Sequence, residues 1–122
     1  MLRWLRSTIH SSAMAGREDR VAKNEAASRD INESIEDAHE GASPDGHIRM
    51  LCECGLEACD RLIAITIREY EKVRLDPRRF ALVREHVMQD VETVVDETDR
   101  FVVVTKREGT PADVAREEDP RA

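Results

Sequence analysis

Three textures of apolar and polar positions follow one another along the 122-residue chain, and each predicts a different kind of structure. From Glu18 to about His39 there is neither Pro nor Gly while Ala, Glu, Lys and Arg recur, which predicts a helix of about five to six turns. Its apolar stripe is Val21, Asn24, Ser28, Ile31, Ile35 and Ala38, and it is weak because Asn24 and Ser28 interrupt it. The dipeptide Asn24-Glu25 returns as Asn32-Glu33, roughly 80° further round a helix, so the two pairs only loosely share a face. Such an arm, residues 18–40, either docks on a protein partner or packs Ile31 and Ile35 on its own domain, and the stripe does not choose.

Gly41-Ala42-Ser43-Pro44-Asp45-Gly46 ends the helix, with Gly to stop it and Pro to prevent its continuation. Beyond this boundary the texture changes to short apolar runs. His47 to Cys52 and Arg61 to Ile65 predict two strands flanking a turn. Thr66 and Glu69 have capping-box spacing and predict a helix through Ile67, Tyr70 and Val73, stopped near Leu75 by Asp76-Pro77. Arg79 to Val83 predicts a strand, followed by a polar connection containing His86. Val91 to Val95 and Phe101 to Val104 predict two more strands, joined by the loop Glu97-Thr98-Asp99-Arg100. Val87, Met88, Val91, Val94 and Val95 also fit a helical stripe, but the β-branched residues of Thr93-Val94-Val95 and Val102-Val103-Val104 favour pairing. The expected fold is α+β, a long N-terminal helix followed by a small antiparallel sheet of about five strands with one short helix, the packed domain covering residues 46–106.

The third texture is polar. Residues 1–17 carry Arg3, Arg6 and Arg17 without an acid, yet Leu2, Trp4, Leu5 and Ile9 are separated by polar residues and form no secretory core. We expect this segment to be disordered or to come from a mis-called start, with Met14 the true one. Residues 107–122 are acidic and broken by Gly109, Pro111 and Pro120, which predicts a disordered tail.

Composition narrows the function. Trp4, Tyr70, Phe80 and Phe101 are the only aromatic residues, so a domain of this size has a marginal core and gains from a metal staple. A net charge of −7 argues against a nucleic-acid partner, since such binding rests on clustered cations. No run approaches the roughly 18 apolar residues that a membrane span requires, and a soluble cytoplasmic protein is expected.

All three cysteines, Cys52, Cys54 and Cys59, fall within eight consecutive residues. Thiolates suit zinc because each supplies a soft anionic sulfur, and Gly55 lets the backbone fold so that Cys59 returns toward the first two. The fourth ligand of a closed Cys3His set is expected to be His86, with His47 the rival. His39 and His10 lie outside the domain. Such a site is structural and leaves no position for a reacting water. A thiol redox sensor and inert burial of small thiols are the other readings, and Glu53 and Glu57 are expected to raise the thiol pKa values. No nucleophile elbow, phosphate-cradling glycine loop or His-Glu-x-x-His helix is present, so no enzyme is expected. A zinc anti-sigma pattern, His-x3-Cys-x2-Cys on helices, differs in spacing and element from His47, Cys52 and Cys54.

The residues Asn24-Glu25, Arg29, Asn32-Glu33 and Ile35, then Cys52-Glu53-Cys54-Gly55 with Cys59, resemble a group of small uncharacterised bacterial proteins, common in actinobacteria. That group has an Asn-Glu-rich N-terminal helix before a Cys-x-Cys-Gly-x-x-x-Cys core. Glu69-Tyr70-Glu71, Val73-Arg74, Asp76-Pro77-Arg78-Arg79-Phe80, His86, Glu92, Val94-Val95, Asp99-Arg100-Phe101 and Val103-Val104 extend the likeness over nearly everything after Met14. The group carries a Pro-Gly pair before the histidine, where this chain has Arg84-Glu85, and commonly a Tyr at the place of Phe101. The resemblance implies a small cytoplasmic protein with a metal knuckle, and no named activity.

Overall fold

A computed structural model of the chain describes residues 2–121, with side chains from Gly16 onward apart from Arg17 and Glu18. His10 therefore lies outside the described side chains, and Met1 outside the described residues. Helix α1 spans Leu2–Ala38, so the helical segment begins well before Glu18. Gly41, at φ +87°, follows its end, as the breaker cluster led one to expect.

Strands β1 (His47–Leu51) and β2 (Leu62–Thr66) form an antiparallel hairpin with Leu51 opposite Leu62, and the Cys52 amide extends it by bonding Arg61 O at 3.0 Å. Alternation places Ile63 and Ile65 of β2 in the core. Helix α2 (Ile67–Val73) starts with the capping box: the Glu69 amide donates to Thr66 Oγ1 at 3.0 Å, and the Thr66 amide to Glu69 Oε1 at 2.9 Å. Arg100 clamps the same carboxylate, which ties the cap to the loop between the last two strands.

Strand β3 (Arg79–Leu82), β4 (Glu92–Glu97) and β5 (Val102–Lys106) form a second antiparallel sheet in the order β3-β5-β4. The five strands thus belong to two sheets, joined where the Glu53 amide donates to Ala81 O at 2.9 Å. Residues 92–97 are strand and not helix, with a register shift at Val95 that leaves Val94 and Val95 half-exposed on the sheet edge. Central β5 buries Val102, Val103 and Val104 on both faces, against Phe80, Leu82, Tyr70 and Met50 among others.

Two expectations are corrected. The tail is not disordered: helix α3 (Thr110–Glu117) buries Ala112, Val114 and Ala115 and packs against α1. Gly109 and Pro111, read from sequence as breakers, instead open that helix, with Pro in its first turn where no amide partner is lost. Beyond it Asp119 pairs with Arg74, and Arg121 reaches Glu33, Glu36 and Glu71, so the chain end is pinned to α1 and α2.

The second correction concerns the face of α1. Among the described side chains its buried positions are Ala22, Glu25, Ala26, Arg29 and Asn32, four of the five lying one residue on from the expected stripe, roughly 100° round the helix. Ile31 is 49 % exposed, while Ile35 packs partly against the core. The helix therefore docks on its own domain, chiefly through a polar face. Lys106, 1 % exposed at the end of β5, is gripped between the carboxylates of Glu25 and Glu92. The Arg29 guanidinium lies 3.8 Å over the Phe80 ring and donates to Pro77 O at 2.6 Å. Among the described residues no helix is long and apolar enough to cross a membrane.

Candidate metal centre

The hairpin β1–β2 delivers the cysteines. Cys52 follows β1 directly, Gly55 turns the chain at φ +75°, and the Cys59 amide closes a tight turn on Leu56 O at 3.0 Å before β2 begins. From the second sheet, a single 3₁₀ turn, Arg84–His86, follows β3 and swings His86 over the same spot, its amide bonded to Val83 O at 3.0 Å.

The structure brings together all four residues singled out from the sequence. The sulfurs of Cys52, Cys54 and Cys59 and a ring nitrogen of His86 lie within 4.8 Å of one another. His86 Nδ1 is 3.5 Å from Cys52 Sγ and 3.5 Å from Cys59 Sγ. A tetrahedral zinc with Zn–S of about 2.3 Å and Zn–N of about 2.0–2.1 Å has S···N edges of roughly 3.5 Å. The 3.5 Å spacing of His86 Nδ1 from both sulfurs fits such edges, so the four residues could hold a metal ion. His47 stands at the far end of the hairpin, opposite Thr66, and His39 Nδ1 is 2.7 Å from Ile35 O; neither joins the group.

Backbone amides favour the anionic sulfurs. The Val83 amide donates to Cys52 Sγ at 3.3 Å, and the amides of Leu56 and Arg61 act on Cys54 and Cys59, each favouring the anionic sulfur, although larger causes outweigh this at Cys52 and Cys59. Without a metal the three thiols must share their protons unequally. Cys52 is pushed up, first by the hydrogen bond to Cys54 and then by burial, whereas Cys54 is pulled down to about 5, first by that same bond. Cys59 is raised, mainly by burial.

The expected effect of Glu53 and Glu57 on the thiols does not arise. Glu57 is exposed, and the fully buried Glu53 turns its carboxylate away, to the Ala81 amide at 3.0 Å, Asn32 Nδ2 at 3.0 Å and Arg29 at 4.0 Å. Glu53 is a brace between the cysteine loop, β3 and α1.

Sequence reasoning missed this supporting layer. Asn32 brackets Leu51, accepting from its amide at 2.8 Å and donating to its carbonyl at 3.0 Å, while Asn24 donates to Gly55 O at 3.2 Å. The repeated Asn-Glu dipeptide was the available signal, because both asparagines reach the cysteine loop. Outer-layer partners of this kind fix ligand orientation at metal sites. No family model, curated protein or solved structure matches this chain.

Proposed function

We propose that this chain is a non-enzymatic, zinc-binding cytoplasmic module in which a structural Cys3His site supports a protein-interaction or regulatory role. The observation that carries the reading is the convergence of Cys52, Cys54, Cys59 and His86 from two separate sheets to within 4.8 Å. Three sulfurs and an imidazole are a donor set suited to zinc, and four protein ligands leave no open position for an activated water. By joining the hairpin to the second sheet, the ion would staple a domain whose aromatic content is low. The likeness to the small bacterial proteins belongs to the same reading, since it rests on Asn24, Asn32, the cysteines and His86.

Zinc titration of the reduced protein with the melting temperature as readout tests it. We expect one equivalent to bind and to raise the melting temperature, with chelation reversing both. An unchanged melting curve with and without zinc would sink the proposal.

A thiol redox sensor is the second reading, favoured by three free thiols gathered in one place, any two of which could close a disulfide on oxidation. Against it, Cys54 is 1 % exposed. Peroxide oxidation no faster than that of a free cysteine would eliminate it.

A further inference from the structure

We propose that metal occupancy at Cys52, Cys54, Cys59 and His86 governs whether α1 is held against the domain, so that loading the site docks the helix and stripping it releases the helix. This rests on the zinc reading above and adds to it a regulated element.

The link is physical contact between helix and ligand loop. Asn32 and Asn24 hold the backbone of Leu51 and Gly55 through bonds of 2.8 to 3.2 Å, and Asn32 also donates to Glu53. Bonds to main-chain groups are directional and exist only while the loop keeps its present course. At Gly55 the fit is closest: a Cβ there would sit 2.6 Å from Val21 O and 2.6 Å from Glu25 Cγ. The segment from Cys52 to Arg61 has no regular secondary structure of its own. Metal bonds to Cys52, Cys54 and Cys59 would fix its shape against His86, and without them these three residues lose their common anchor.

The docked face is also suited to release. Among the described side chains its fully buried positions are Glu25, Arg29 and Asn32 beside two alanines, Ala22 and Ala26, with Ile35 partly buried. Charged and amide groups regain hydration when they leave an interface, which offsets much of what is lost, whereas an apolar face would stay stuck to the core. A polar interface therefore holds only when its partners are in register. The ion sets that register at Leu51, Glu53 and Gly55. By reciprocity, a helix that docks better on the loaded loop must also tighten the metal.

The experiment uses the full chain under reducing conditions, with zinc alone as the probe. Hydrogen exchange is compared between zinc-loaded and chelator-stripped protein, and zinc affinity between the wild type and Asn24→Ala. We expect stripping to remove protection from α1 amides around residues 21–32 while those of β5 stay protected, and Asn24→Ala to weaken zinc by about tenfold, within the range for supporting residues. Unchanged α1 protection, loss of α1 and β5 protection together, or wild-type zinc affinity in Asn24→Ala would each overturn the proposal. Native mass spectrometry of the same wild-type samples separates the two levels. If the chain takes up no zinc at all, the site reading fails and this proposal with it; if zinc binds and α1 does not respond, only this proposal fails.

Discussion

Gly55 shows how much of the site is decided by single residues. It sits at φ +75°, with the backbone of Val21 and the side chain of Glu25 already occupying the room that a Cβ needs. Gly55→Ala should cost about 1–3 kcal/mol in denaturant unfolding of the zinc-loaded protein, from backbone strain and overpacking together. A second substitution separates the histidines. His86→Ala should weaken zinc by more than the roughly 10–100-fold that loss of a supporting residue costs, read by competition with a chromophoric chelator, while His47→Ala should leave affinity unchanged. At this scale the ligands were legible, because thiols are scarce and their clustering is chemically specific. Asn24, Asn32 and Glu53 were not. They act on backbone groups far away in sequence, and an asparagine on a helix gives no sign of which carbonyl it will meet.

Elements were read best where their cause is local. The capping box of α2 and the β-branched runs of β4 and β5 are short-range signals, and each gave its element near the expected place. Helix α1 was legible as a helix and not in its docking, because its inner face follows ion pairs instead of hydrophobicity. Lys106 is the clearest instance. As the last residue of β5 it reads as a solvated end, yet it is buried between Glu25 of α1 and Glu92 of β4. Above about pH 8, where Glu25 is ionised as well, removing the cation leaves two carboxylates without it, so Lys106→Met should destabilise by about 3–5 kcal/mol in urea unfolding there. Loss below 1 kcal/mol would show that the two carboxylates find other partners. Helix α3 escaped notice because three small apolar residues, Ala112, Val114 and Ala115, are too few to mark a stripe, although they suffice against α1.

At the scale of the whole molecule, α+β architecture and strand order along the chain were legible, and the division into two sheets was not, since periodicity names strands without naming their partners. The division matters, because the metal ligands come from both sheets. The pH dependence of stability is likewise a property of the whole. Burial pushes Glu25 from 4.5 up to about 8, with Lys106 opposing, so between these values the folded chain holds a proton that the unfolded chain has lost. The contribution of Glu25 to stability then falls as pH rises from about 4.5 toward 8, by at most about 1.4 kcal/mol per pH unit. Glu25→Gln should flatten that slope relative to wild type, measured by unfolding at several pH values with zinc saturating in both. Glu69 works in the opposite sense: Arg100 pulls it down to about 2, so its contribution is present above about 4.5 and is lost as pH falls toward 2.

The proposed function turns on whether the four converging side chains take a metal. Native mass spectrometry of the full chain, purified with reductant and given zinc, reads this directly. We expect a single species carrying one zinc ion, which reverts to the bare chain on Cys52→Ser or on chelation. A bare chain in the presence of excess zinc, with its melting temperature unmoved, would contradict it.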